Sequence, residues 1–134
     1  MKLKKTQSDA LKNTLDALYE TRSKSHLAND PLSFCHRFQN PEDQEIAGLI
    51  AASFAYGNVK IILRNLEFIF SRIGSSPVSY VRSFDPLQGI GLFTGFKHRF
   101  NVGRDLCALL YAIKLMLETA GSIENFFCSG YDPQ

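Results

Sequence analysis

The sequence predicts an all-α fold, and three features carry that expectation. Apolar residues recur with a period near 3.6 along most of the chain. Helix stops and starts punctuate those runs at Gly57-Asn58, Gly74 and Gly121-Ser122. No segment alternates apolar and polar residues as a half-buried strand would, and no internal repeat or low-complexity tract appears. A single helical domain is expected over residues 1–134, with residues 1–7 flexible. Hydrophobic residues make up 45% of the chain and charged residues 21%, a globular balance that argues against disorder. A chain of this length buries roughly two-thirds of its unfolded surface, so neither a disulfide nor a metal is required to hold it.

The first helix is marked by Leu11, Leu15, Leu18 and Tyr19, with Ser8 or Asp9 placed to cap it. DPLSFCHRF (30–38) follows with no clean period and reads as a connection holding about one helical turn. In NPEDQEIAGLIAASFAYGN (40–58), Asn40 is a good N-cap and Pro41 suits the first helical position. Glu42, Asp43 and Glu45 sit where the helix dipole favours negative charge. Large residues (Ile46, Leu49, Ile50, Phe54) form one stripe and small ones (Ala47, Ala51, Ala55) another, with Gly48 and Ala52 between. Such a helix suits a central position between two neighbours, here the helices expected over Val59–Ile73 and Arg104–Ala120. Gly57 supplies the stop and Asn58 the next cap.

Val59, Ile62, Leu63, Leu66, Ile69, Phe70 and Ile73 trace the second long stripe, closed by Gly74. SSPVSYVRSF reads as a short helix with Pro77 near its start. The glycine-rich DPLQGIGLFTGF (85–96) reads as a loop with room for a short helix. Val102, Leu106, Leu109, Leu110, Ile113, Met116 and Ala120 trace the last long helix, and Ser122 opens a short one carrying Ile123, Phe126 and Phe127.

Function is less marked. No apolar run is long enough to span a membrane, and the N-terminus lacks the apolar core of a signal peptide, so a cytoplasmic location is expected. Cys35, Cys107 and Cys128 are widely spaced and read as reduced thiols; Cys35 beside His36 has no partner pair at ligand spacing for a zinc site. No metal, cofactor or catalytic residue is expected: nucleophile-elbow and phosphate-loop spacings are absent. Asp43 and Glu45 lie two apart on a helix and point different ways.

Two basic-aromatic segments stand out. CHRF (35–38) brings together His36, Arg37 and Phe38, and FKHRFN (96–101) brings together Lys97, His98, Arg99 and Phe100. Such segments hold phosphates and stack on bases. The alternative is that the aromatics anchor the core while the arginines pair with Asp30, Asp43, Asp85 or Asp105. Lys60 and Arg64 likewise read either as contacts or as a solvated face. The formal net charge of +2 permits a local nucleic-acid patch without pointing to one.

Taken together, DPLSFCHRFQNPEDQEIAGLIAASFAYGNV and FKHRFNVGRDL resemble an uncharacterised bacterial family of unknown function. The matching elements are Asp30 to Phe34, Pro41 to Gly48, Ala55 to Gly57 and His98 to Leu106. That family is distantly similar to the helix-hairpin-helix DNA glycosylases of the endonuclease III type. The resemblance implies that the apolar helix runs into a turn, Tyr56-Gly57-Asn58, that approaches DNA. It also implies a chain about half the family's length, lacking the segment where glycosylases carry their hairpin motif and catalytic aspartate. The expected function is therefore weak duplex DNA association without catalysis, through Arg37, Tyr56, Gly57, Asn58, Lys60, Arg64, His98 and Arg99. The rival expectations are a helical interaction module, which self-associates or binds a missing C-terminal half, and a gene fragment with no function.

Overall fold

The computed structural model describes residues 5–25 and 27–131. It is all-α apart from one minimal hairpin. The helices are α1 (Lys5–Ser25), α2 (Pro41–Ser53), α3 (Val59–Ile73), α4 (Pro77–Arg82), α5 (Pro86–Leu92), α6 (Gly103–Ala120) and α7 (Ile123–Cys128). A 3₁₀ turn (Leu27–Asn29) and a 3₁₀ segment (Pro31–Arg37) join α1 to α2. Strands β1 (Lys97–His98) and β2 (Asn101–Val102) pair antiparallel between α5 and α6. None of the described helices is long and apolar enough to cross a membrane.

Local chemistry explains most boundaries. Asn40 and Asn58 accept from the backbone N–H groups of Glu42 and Lys60, and Ser122 from that of Asn125. Asp30 and Asp85 do the same for Leu32 and Leu87, each followed by a proline at the first helical position. Gly74 and Gly121 stop α3 and α6 with φ of 83° and 84°.

The expected boundaries move in several places. Helix α1 already includes Lys5, Thr6 and Gln7, ahead of Ser8 and Asp9. Of the segment expected to be flexible, residues 5–7 are thus helical, and residues 1–4 lie outside the described residues. DPLSFCHR is a full 3₁₀ segment capped by Asp30, longer than one turn. Helix α2 ends at Ser53, so residues 54–57 form an unwound turn in which Tyr56 N–H donates to the Phe54 carbonyl at 2.8 Å. Residues 86–92 are helical despite Gly89 and Gly91. Gly89 is needed there, since a Cβ would lie 2.5 Å from the Phe84 ring.

The core gathers Ile46, Ala47, Ile50 and Phe54 with Leu66, Ile69, Leu106, Leu110 and Ile113, all buried. The large-residue stripe of α2 faces it, with Leu49 half-buried at its margin, but the backbones closest to α2 are the 3₁₀ segment, α4 and α7 rather than the expected α3 and α6. Its small-residue side is covered differently. There the 3₁₀ segment is the close neighbour, and a Cβ at Gly48 would lie 3.5 Å from Cys35 Sγ. A groove of about 390 Å³ remains between them, lined by Leu32, Cys35, Ala51, Ala52 and Ala55.

The α2 acids act on other helices as well as their own. Asp43 is buried and accepts from the Val78 N–H at 2.7 Å, fixing the start of α4. Glu45 accepts from the Ile123 and Glu124 N–H groups at 3.0 and 3.3 Å, fixing the start of α7. By contrast, every α1 side chain from Lys5 to Arg22 is exposed, Leu11, Leu15, Leu18 and Tyr19 included.

Candidate functional site

The site is built on the hairpin between α5 and α6. Its register pairs Lys97 with Val102 and His98 with Asn101, which leaves Arg99 and Phe100 as the turn. Strand alternation then sends His98 and Asn101 inward and Lys97 and Val102 outward. Such turns need a positive φ at the first corner, and Arg99 supplies it at 53°. Arg99 is the non-glycine residue with positive φ among those described, in a conformation that costs an L-residue roughly 1–2 kcal/mol.

A buried polar network holds the hairpin in place. His98 is 1% exposed. Its Nδ1 lies 2.9 Å from Asn65 Nδ2, and its Nε2 lies 3.0 Å from the Tyr56 carbonyl. The amide can only donate and the carbonyl only accept, so His98 is the neutral Nε2–H tautomer. The Asn65 amide also donates to the Lys97 carbonyl at 3.0 Å. Tyr56 closes the circuit: its hydroxyl donates to the His98 carbonyl at 3.2 Å and accepts from Asn101 Nδ2 at 2.8 Å. The Tyr56 and His98 rings meet edge to face at 4.6 Å, and Phe54 packs on His98 at 5.5 Å. Three separate stretches of chain are thereby stitched together: the turn after α2, the middle of α3 and the hairpin.

Outside this network the surface is basic. Arg99 lies over the Gly57 turn, where a Cβ would come within 3.3 Å of its side chain, and Gly57 itself has φ of 101°. Lys60 and Arg64 follow one turn apart on α3, both exposed. Arg64 and Lys97 share a cleft of about 300 Å³ with Phe68. Lys97 and Arg104 share another of about 420 Å³ with Ile90 and Val102. Ion pairs among the described residues join Arg37 to Glu67 and Arg82 to Glu42, and none involves Lys60, Arg64, Lys97, Arg99 or Arg104.

The eight residues singled out from the sequence therefore separate into groups. Gly57, Asn58, Lys60, Arg64 and Arg99 lie on the exposed surface. Tyr56 is half-buried with its hydroxyl engaged, and His98, expected beside them at the surface, belongs to the interior. Arg37 is engaged elsewhere. Its guanidinium makes two bonds to Glu67, at 2.7 and 3.2 Å, and stacks 4.0 Å above the Phe34 ring. That hydrogen bonding holds the Glu67 carboxyl below the usual range. The carboxylates expected as arginine partners act as backbone caps instead: Asp30, Asp43 and Asp85 as described, and Asp105 through the Val102 N–H at 2.8 Å.

Cys35 and Cys107 have thiols pushed up by burial, and Cys128 is exposed. Among the described residues, no three His, Cys, Asp or Glu side chains gather as a metal site would require.

Asn65, Asn101, Lys97 and Arg104 belong to this site and were not among the eight. Asn65 did leave a trace in the sequence, as a polar residue within the apolar stripe from Ile62 to Ile69. A polar residue on a helix's buried face needs a partner, and His98 is that partner.

No curated protein and no solved structure matches the chain. Residues 30–134 match the family described as proteins of unknown function, DUF2400, a span that begins just before the 3₁₀ segment and takes in the whole site. The chain belongs to that family.

Proposed function

We propose that this chain associates with duplex DNA through the face around the hairpin, without catalysing a reaction on it. The observation that carries this reading is a group of exposed cations, Lys60, Arg64, Lys97, Arg99 and Arg104, with no ion-pair partner among the described residues. Phosphate is the natural complement of such a group, and its contacts position a protein without reading sequence. The motif resemblance to helix-hairpin-helix glycosylases points to the Tyr56-Gly57-Asn58 turn. Base excision is not expected: Asp105, the acid next to the hairpin in the chain, engages its Oδ2 with the Val102 N–H.

With so few cations, affinity should lie near the roughly 10⁻⁴–10⁻⁶ M of non-specific binding and fall steeply with salt. A salt titration of duplex binding tests this, comparing wild type with Lys60→Ala/Arg99→Ala. A shallower salt dependence in the variant supports the proposal. No binding at low salt, or binding indifferent to both substitutions, overturns it.

A second reading is favoured by α1, whose Leu11, Leu15, Leu18 and Tyr19 are all exposed. In that reading the chain is an interaction module whose apolar stripe receives a second copy or a separate C-terminal half. Sedimentation of wild type against Leu15→Glu distinguishes it: a concentration-dependent dimer lost in the variant supports it, and a monomer in both contradicts self-association.

A further inference from the structure

Phe100 is 88% exposed at the corner of a hairpin whose base is fixed by buried hydrogen bonds. Among the described residues no other ring packs on it, and the Arg99 guanidinium stands 6.0 Å from its centroid. The backbone beside it is held in a conformation unfavourable to Arg99. The strain at Arg99 costs stability, and the neighbouring ring gains none from burial. Such outliers persist where the surroundings over-determine them, often at ligand sites. Here the over-determination is visible, since His98 and Asn101, the pair that closes the turn, are both anchored to Tyr56.

We infer that Phe100 is a stacking platform for an unpaired nucleobase, held beside cations that take the flanking phosphates. Charge complementarity selects this occupant. An apolar protein surface would have to bury the Arg99 guanidinium, 6.0 Å away, with the ring, whereas a nucleotide offers a flat π-face and an anion within a few ångströms of each other. Stacking on exposed aromatics tolerates any base and adds to phosphate contact. Fully paired duplex hides its base faces, so this platform favours single-stranded or bulged sites over matched duplex. The inference rests on the nucleic-acid reading and narrows it to a preferred ligand.

The chain contains no tryptophan, so Phe100→Trp places a lone indole reporter at the hairpin corner. The probes are a short oligothymidylate, a matched duplex, the same duplex with one unpaired thymidine, and inorganic polyphosphate. The expected result is quenching of the indole by oligothymidylate and by the bulged duplex, and none by polyphosphate at equal charge. Phe100→Ala in the wild-type background should bind matched duplex as before and lose about 10-fold in affinity for the unpaired probes.

Equal affinity of Phe100→Ala and wild type for every probe, with Lys60→Ala/Arg99→Ala still weakened, overturns the platform and leaves phosphate binding standing. No binding of any probe by wild type at low salt overturns both. A wild-type dimer that Phe100→Ala converts to monomer, with no indole quenching, also overturns the platform by assigning the ring to a contact between copies.

Discussion

At Arg99 the backbone sits at φ 53°, and glycine would occupy that corner more comfortably. Arg99→Gly is therefore expected to leave stability unchanged or raise it by up to about 1 kcal/mol, while weakening duplex binding. Parallel thermal melts and binding titrations check the pair, and a clear loss of stability contradicts the strain assignment. Gly103 presents the opposite case. A Cβ there would lie 2.3 Å from the Phe93 carbonyl oxygen, a backbone atom that cannot rotate away. Gly103→Ala should cost about 1–3 kcal/mol of overpacking and displace the start of α6, measured by urea unfolding. Neither position was legible as such. Gly103 falls just ahead of the helix expected over Arg104–Ala120 and carries no mark of its own, and Arg99 reads as a surface cation, because the requirement on each arises from a partner in a turn the sequence does not announce.

Among the elements, local chemistry was legible and remote partners were not. Asn40, Asn58 and Ser122 cap the helices they precede, as side-chain oxygen next to a helix start dictates. Asp43 and Glu45 look from the sequence like more of the same, yet they cap α4 and α7, far along the chain. No local rule reports a bond over such a separation. The hairpin escaped notice for another reason. With strands this short, the alternation is one inward residue on each side, too brief to register against helical periodicity.

Two tests belong at this scale. Asn65→Ala removes the donor facing His98 Nδ1 and the Lys97 carbonyl, and is expected to cost about 1–3 kcal/mol by stranding buried acceptors. Amide exchange should quicken in residues 97–102 more than in α6; uniform quickening would contradict a network dedicated to the hairpin. Ile50→Ala, at a position fully buried on α2, should cost about 2–5 kcal/mol through the cavity it leaves. Leu49→Ala should cost less, since its side chain is half-buried. Urea denaturation of both variants reads the difference, and a larger loss at Leu49 would place the centre of the core wrongly.

For the molecule as a whole, the all-α class and the burial of the large α2 stripe followed from periodicity alone. The candidate site followed in part. The basic segment 96–101 and the Tyr56-Gly57-Asn58 turn were visible as composition, and the fold joins them through His98. From the sequence that histidine reads as a surface group, because a basic neighbourhood says nothing about which side chains strand alternation turns inward. The molecule thus presents two contrasting faces, a cationic one around a rigid hairpin and an apolar stripe on α1. Nucleic acid is proposed to meet the first of them. Backbone amide shift mapping with a short duplex at low salt tests that claim most directly. Perturbations are expected to concentrate in residues 57–64 and 97–104 and to diminish as salt is raised. Perturbations confined to Leu11–Tyr19, or none at all, would contradict it.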